Sequence, residues 1–596
     1  MTRRVRRTVA CVVATASVAA GGAGCGVPTE TEVRVDGPVA EAEVSGSGVQ
    51  SDPPPGPDDA TDDRQLVDYF LQAAAADPAD AVEKLRPFIH SEQRGSWRPD
   101  PRVMVVRVED ITRTPAGDDE VRFDLKLRRV GVLTDGAIEP QIQEPETVAF
   151  SVVRETAPVQ DLGHEPMSGG GYRIVDPPRF VMLEDRALER YFLPRSLYFW
   201  DADYDVLVPD LRWLPRAVPA ARRPQIILDW LLAGPSPWLD SVVGVADGVN
   251  QVGRAVPEED TLVIELSAPT AELEHRALDA QFWWTLRPEL ASDMTLTLVI
   301  DGRPRQVVTS DWPPNLAAWE PPRSFAVVGG EVRAYPGDEA TTELPALDHG
   351  VNSGVESAAL SQGGRIGALV RADSDGLRLL LTGASGVTET ELRGVGTMSR
   401  PVWLREPTGT GLVVADHRLY RFNVREEQVA EVPVPAFMAG QLTAVAAAPD
   451  GRRLALIAGG ELYVAAMRRD GNLVGLHEPQ MLPTTATDLA GVAFSRPDRL
   501  AVLGREDGRY WLYEITVDGG LEERLSFDLG APQSLGNLVA YPGDPERESR
   551  RGLMMFEADG RAYAYRQAPE AIRAEEFGLE AAEEELPDPR APFFLE

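Results

Sequence analysis

The chain of 596 residues is poor in cysteine and histidine, and each shortage excludes a class of site. Its two cysteines, Cys11 and Cys25, both lie in the first 25 residues, so the rest of the chain can form neither a disulfide framework nor a cysteine-based zinc site. The six histidines are scattered, and the sequence contains no HExxH, Gly-x-Ser-x-Gly or P-loop motif. We therefore expect no metal, no cofactor, no catalytic residues and no enzymatic activity.

Basic residues are also scarce. Acidic residues outnumber them 94 to 59, which gives a net charge of −35, and Lys84 and Lys126 are the only lysines. No basic stripe lies beyond the first residues of the chain, so the sequence excludes nucleic acid as a partner. So acidic a surface also disfavours direct adsorption to anionic lipid, and contact with a membrane would have to come from an attached acyl chain.

Long apolar runs are missing as well. The run at Val9–Ala20 follows a cationic stretch, is too short for a transmembrane helix, and leads to Gly22-Ala23-Gly24-Cys25. This arrangement is typical of an export signal, and its final cysteine resembles the lipobox of bacterial lipoproteins. The resemblance implies that residues 1–24 are a signal peptide. It also implies that Cys25 carries S-diacylglycerol and N-palmitoyl groups that hold the chain at the extracytoplasmic face of the cell membrane.

The composition divides the chain from Cys25 onward into a tether, three folded domains and a tail. Residues 25–61 are rich in Gly, Pro, Ser and acidic residues and contain few large apolar ones, which predicts a flexible tether. Residues 62–180 begin with two helical patterns and continue with apolar residues at period two, as in Val121-Phe123-Leu125-Leu127. This order predicts an α+β domain. Residues 571–596 are predicted to be an acidic tail whose Glu575–Glu585 part is a solvated helix.

Residues 195–312 form a second segment in which strands and helices alternate. A Tyr-Phe strand, a Leu-Val-Pro strand and a helix stopped by Leu231-Leu232-Ala233-Gly234-Pro235 succeed one another. This order resembles the GerMN domain, a small α/β module of cell-envelope proteins. The resemblance implies a binding or assembly role, and we interpret Gly234-Pro235 as a helix stop.

Residues 321–570 contain a repeat. Similar apolar strand pairs start at residues 357, 401, 444, 491 and 538, so successive starts are 44, 43, 47 and 47 residues apart. Four-stranded propeller blades repeat at about 40–50 residues, since each blade buries its faces against its neighbours. The sequence thus predicts a multidomain α+β and all-β protein that ends in a β-propeller of five to seven blades.

A lipobox, an α+β domain, a GerMN-like domain and a C-terminal propeller, in this order, resemble the actinobacterial LpqB lipoprotein family. The resemblance implies an accessory factor for the sensor kinase of an MtrA–MtrB type two-component system, with effects on cell envelope and division. Its partners would be the membrane, through the lipid anchor, and the extracellular domain of the kinase. Two alternatives stay open: a carbohydrate- or peptidoglycan-binding envelope module, for which Trp403 and Trp511 are candidates, and a catalytic propeller.

Overall fold

The computed structural model describes residues 53–596, except 118, 142–143, 156–170, 245–247, 259, 268–271, 308–322, 337–343, 349, 384–385, 405–408, 471–472, 542–551 and 580–585. All of the described residues fall in one compact unit. The predicted signal peptide, Cys25 and most of the predicted tether lie outside them. No helix within these ranges is long and apolar enough to cross a bilayer.

The N-terminal domain packs short helices on a mixed sheet, as its sequence predicts. Its helices are α1 (Asp63–Ala73), α2 (Ala81–Leu85), α3 (Ser91–Arg94) and α4 (Asp185–Tyr191). Its strands are β1 (Asp100–Pro115), β2 (Glu120–Thr134), β3 (Ala137–Pro140), β4 (Glu146–Arg154), β5 (Tyr172–Val175) and β6 (Phe180–Glu184). The sheet order is β5-β4-β2-β1-β6, with β3 paired to β2. Phe70 of α1 packs on Phe150 of β4, with ring centroids 5.9 Å apart, which fastens the helical layer to the sheet.

The domain also includes the end of the predicted tether. Pro57–Asp59 forms a short 3-10 helix in which Pro57 is buried, and Asp58 pairs with Arg173 at 2.6 Å. The predicted tether therefore does not stay extended up to residue 61. Its last part folds onto the domain, because Pro57 is buried there and Asp58 pairs with Arg173.

The middle domain is α/β. A hairpin of β7 (Phe192–Asp201) and β8 (Leu207–Pro215) pairs with β9 (Val243–Gly244) and is followed by helix α5 (Arg223–Ala233). A second sheet has the order β10-β12-β13-β14, with β11 paired to β12. These strands are β10 (Asn250–Gln251), β11 (Val256–Glu258), β12 (Thr261–Ser267), β13 (Thr295–Ile300) and β14 (Arg303–Gln306). Helix α6 (Glu272–Leu286) connects the parallel strands β12 and β13, so the predicted strands and helices are present.

The propeller consists of six sheets, of which five have four strands and one has three within the described ranges. Neighbouring sheets pack on one another in chain order, and the sixth packs on the first. Each of the five predicted starts falls within the first strand of a four-stranded blade or one residue before it. The strands are β15 (Ser324–Val328), β16 (Glu331–Tyr335), β17 (Val355–Leu360), β18 (Gly367–Asp373), β19 (Gly376–Gly383), β20 (Gly386–Val395), β21 (Val402–Trp403), β22 (Thr410–Ala415), β23 (Arg418–Asn423), β24 (Gln428–Glu431), β25 (Leu442–Ala447), β26 (Arg453–Ala458), β27 (Glu461–Asp470), β28 (Leu473–Leu482), β29 (Thr487–Arg496), β30 (Arg499–Glu506), β31 (Arg509–Thr516), β32 (Glu522–Arg524), β33 (Leu535–Tyr541), β34 (Leu553–Ala558), β35 (Arg561–Tyr565), β36 (Pro569–Ala571) and β37 (Arg590–Phe594).

The C-terminal end differs from the predicted acidic tail. Strand β37 pairs antiparallel with β15, so the end of the chain supplies the inner strand of the first blade. Glu596 continues the closure, because its side chain accepts hydrogen bonds from Arg400 at 2.6 Å and from the backbone N–H of Trp403 at 2.8 Å. The physical reason is apolar burial: Phe593 and Phe594 are buried in the first blade, which outweighs the acidic composition of the residues before them.

One hydrophobic cluster joins the three domains. It runs from α1 and the first sheet through the middle domain to residues of the fourth blade (β25–β28) and the fifth blade (β29–β32). Domains linked by loops normally meet through small, polar contacts. A shared apolar core predicts instead that the N-terminal domain, the middle domain and the propeller behave as one body.

Candidate functional site

The strongest sequence-predicted site residue, Cys25, lies outside the described residues, so its acylation stays a prediction. Within the described part, the chemistry concentrates at two places. One is a junction where all three domains meet, and the other is a charged cleft in the N-terminal domain.

The junction is centred on the turn Asp518-Gly519-Gly520, which connects β31 to β32 in the fifth blade. Trp213 of the middle domain donates its indole N–H to Asp518 Oδ2 at 2.7 Å. A Cβ on Gly520 would lie 2.6 Å from Ile138 Cδ1 and 3.3 Å from Trp213 Cζ2. A side chain at residue 520 would have to displace the end of the Ile138 side chain and press on Trp213, so the turn packs closely against both the N-terminal and the middle domain.

Asp518 is half-buried in this contact. Burial raises the pKa of its carboxyl group, although Thr516, Gly520 and Trp213 donate hydrogen bonds that favour the charged form. Three donors around one carboxylate account for most of its bonding capacity. Asp518 is therefore a structural acceptor that fixes the turn.

Arg107 of β1 makes the second contact with the same blade. Its guanidinium donates to Asp185 Oδ2 at 2.7 Å, to Glu522 Oε2 at 3.2 Å, and to the carbonyl oxygens of Pro483 and Gly519 at 3.1 and 3.2 Å. Burial by itself lowers the pKa of Arg107, but Glu522 and Asp185 outweigh it and raise the pKa. The arginine is thus a charged, fully bonded bridge between the N-terminal domain and the propeller.

A third contact joins the middle domain to the fourth blade. Arg452, in the Pro-Asp-Gly-Arg-Arg turn between β25 and β26, donates Nε and Nη2 to Asp201 Oδ2 at 2.9 and 2.5 Å. Both side chains are buried. The other oxygen of Asp201 accepts the backbone N–H groups of Asp205 and Val206. The Pro-Asp-Gly-Arg-Arg turn of the fourth blade therefore also binds this blade to the middle domain.

Asp201 belongs to a loop with three converging carboxylates, Asp201, Asp203 and Asp205, whose oxygens lie within 4.8 Å of one another. Since Arg452 and two backbone N–H groups already use both oxygens of Asp201, the loop is explained by the docking of the fourth blade.

The Gly-Pro-Ser motif of the middle domain has a structural role. Asp210 of β8 accepts hydrogen bonds from the backbone N–H of Ser236 at 2.8 Å and from its hydroxyl at 2.8 Å. Arg212 donates to the same carboxylate at 2.8 Å and to the carbonyl of Gly234 at 3.2 Å. Helix α5 ends at Ala233 and Gly234 comes next with φ of 105°, so the predicted helix stop is confirmed.

The two tryptophans considered for glycan stacking both pack into hydrophobic clusters of the propeller. Trp403 is buried, and its ring and that of Phe422 form an edge-to-face pair with centroids 5.1 Å apart. Trp511 is half-buried, and the Arg524 guanidinium covers it at 4.4 Å from the ring centroid. A platform for stacking sugars needs an exposed aromatic face, so these residues do not form one.

The charged cleft lies in the N-terminal domain, between helices α1 and α4 and above β1. Its volume is about 590 Å³, and its lining residues are Arg64, Asp68, Gln72, Val108, Glu109, Asp110, Ile111, Glu184, Arg186 and Arg190. Most of these are ionisable. Sequence reasoning did not identify the cleft, because its residues come from three distant segments and form no motif.

Comparison with known proteins agrees with this architecture. The N-terminal domain of lipoprotein LpqB, as a family model, matches residues 56–189, and the lipoprotein LpqB β-propeller domain matches residues 332–539. Lipoprotein LpqB of Corynebacterium jeikeium is 25% identical over 79% of this chain and 81% of its own length. Lipoprotein LpqB of Cutibacterium acnes is 26% identical over 92% of this chain and 96% of its own length.

Among solved structures, a chain of a nidogen/laminin complex matches over 41% of this chain and 74% of its own, with 10% identity and a TM-score of 0.24. The two LpqB family models match the N-terminal domain and most of the propeller, and the relatives align along most of the chain. The chain therefore belongs to the actinobacterial LpqB lipoprotein family.

Proposed function

We propose that this protein is a membrane-anchored, extracytoplasmic accessory factor that modulates the sensor kinase of an MtrA–MtrB type two-component system. Acyl groups on Cys25 hold it at the outer face of the cell membrane. It acts there by binding the extracellular part of the kinase, and it catalyses no reaction. The predicted signal peptide at residues 1–24, which is followed directly by Cys25, and the membership in a lipoprotein family support this location.

The observation that carries the proposal is the three-domain junction. Arg107, Asp518 and Arg452 join the propeller to the other two domains through buried contacts. A body joined in this way keeps the surfaces of its three domains in fixed positions relative to one another. Anchoring it to the membrane then raises its effective concentration near a membrane partner.

Modulation also sets a thermodynamic condition. The protein shifts the kinase between signalling states only if it binds the two states with different affinity. A rigid binding surface meets this condition well, because it fits one geometry of the partner better than another. The proposal therefore predicts tighter binding to one signalling state of the kinase ectodomain.

The test is a calorimetric titration of soluble residues 26–596 against the purified extracellular domain of the sensor kinase. Saturable binding that persists at physiological salt supports the proposal. Retention on purified cell wall without binding to the kinase contradicts it and favours the peptidoglycan-binding alternative.

A further inference from the structure

The first sheet has an open edge. Strand β6 pairs in parallel with β1 only as far as the Val106–Glu184 pair, whereas β2 pairs with the opposite side of β1 up to Pro115. From Val108 onward, no strand of the described chain covers the β6 side of β1. Alternate residues of such a strand direct their N–H and C=O groups outward, so this edge presents unpaired donors and acceptors.

The charged cleft lies on this edge. The four consecutive residues Val108–Ile111 all line it. Side chains alternate between the two faces of a strand, so four consecutive residues reach one cleft only when the strand turns its edge toward it. A register shift between Val108 and Asp110 marks a bulge at the same place, and bulges are frequent beside functional sites.

The walls of the cleft are two helices. Arg64, Asp68 and Gln72, spaced four residues apart, lie on one face of α1, and Arg186 and Arg190 lie on one face of α4. The volume of about 590 Å³ falls within the range of about 300–1,000 Å³ that is usual for ligand sites. A strand edge between two helical walls has the shape of a groove for an extended chain.

One carboxylate in the groove has no partner in the described part of the chain. Glu184 is half-buried, and its side chain makes no hydrogen bond or ion pair within the described residues. Its neighbours are already paired: Asp68 with Arg64 at 3.1 Å, and Glu109 with Lys126 at 2.8 Å. Burial raises the pKa of Glu184 and nearby Asp185 adds to this effect, while the charges of Arg186 and Arg64 act in the opposite direction without outweighing it. An enclosed carboxylate with no directly bonded cation is costly, and a cationic group from a ligand that bonded to it would lower that cost.

We propose that this groove binds an extended peptide that pairs with the edge of β1 at Val108–Ile111 and places a lysine or arginine side chain at Glu184. Adding a strand to an exposed sheet edge is an established mode of peptide recognition, in which the backbone supplies affinity and side-chain pockets supply specificity. The inference does not depend on the proposed kinase partner, because it stands on the strand edge and on Glu184.

The probe is a fluorescein-labelled decapeptide of alternating valine and lysine with blocked ends, and binding to soluble residues 26–596 is read by fluorescence anisotropy. Two matched peptides carry glutamate in place of lysine, or the same side chains on an N-methylated backbone. The N-methylated peptide keeps the charge but cannot donate backbone hydrogen bonds, so it separates strand pairing from simple charge attraction.

Two protein variants complete the test. Glu184→Gln removes the unpaired carboxylate, and Glu139→Gln removes an exposed acid elsewhere in the same domain. We expect the lysine peptide to bind, the other two peptides to bind at least tenfold more weakly, and only Glu184→Gln to weaken the lysine peptide by about tenfold. Absence of binding, equal binding of the N-methylated peptide, or equal losses in both variants would overturn the proposal. Thermal melting checks that both variants are folded.

Discussion

Replacing Arg107 with methionine should separate the N-terminal domain from the propeller. Methionine keeps much of the apolar stem but removes the guanidinium that bridges Asp185, Glu522 and two carbonyl groups. The side chains of Arg107, Asp185 and Glu522 are only 8%, 10% and 5% exposed, so the two carboxylates would remain buried together without a cation. Breaking a buried ion pair on one side costs about 3–5 kcal/mol.

Scanning calorimetry measures this loss. For domains of this size, 1 kcal/mol shifts the midpoint of unfolding by about 2–8 °C, so we expect the transition of the N-terminal domain to fall by on the order of 10 °C or more. The propeller transition should move less, because each blade keeps its neighbours. The N-terminal domain would then unfold ahead of the propeller.

The matched control is Arg122→Met, which removes an arginine from the same sheet. Arg122 pairs with Asp124 at 2.9 Å on the exposed face, with its side chain 54% exposed, and such pairs contribute little to stability. We expect no measurable shift for it. If the Arg107 variant melted within the error of this control, the junction would not hold the domains together.

Three further predictions concern other parts of the chain. Gly520→Val should prevent docking of the fifth blade, because the new Cβ would lie 2.6 Å from Ile138 Cδ1. Gly536→Ala should leave docking intact, because its Cβ meets nothing within 4 Å. Limited proteolysis should therefore cut the domain linkers faster in the Gly520 variant than in the Gly536 variant. Removing residues 590–596 deletes β37 and should open the ring, seen as increased hydrogen exchange in β15 and β17, while unchanged exchange would refute that closure. Cys25→Ala should release the protein into the medium and abolish signalling, and full activity of the released form would contradict the need for anchoring.

The repeat was the part of the fold that the sequence predicted best. Blade strands are local and regular, so their apolar alternation and their spacing of 43–47 residues are visible in the chain. The helix stop at Gly234-Pro235 could be predicted equally well from the sequence, since it depends on local backbone geometry. The closure of the ring by β37 could not be predicted from the sequence. Phe593 and Phe594 come after an acidic stretch, and their partner strand β15 lies more than 250 residues earlier.

The junction and the groove could not be predicted for the same reason. Arg107 and Glu522 are 415 residues apart, and Trp213 and Asp518 are 305 apart. Nothing in the turn Asp518-Gly519-Gly520 distinguishes it from other blade turns until the Cβ position of Gly520 is seen against Ile138. Glu184 likewise looks like an ordinary surface acid until the open edge of β1 is placed beside it.

The central claim is that this lipoprotein acts on a sensor kinase from outside the membrane. Calorimetric titration of residues 26–596 into the purified kinase ectodomain, at physiological salt, tests it most directly. We expect saturable binding, and weaker binding by the Gly520→Val variant because its domains no longer form one body. No heat of binding to the ectodomain, together with retention of the same protein on purified cell wall, would contradict it.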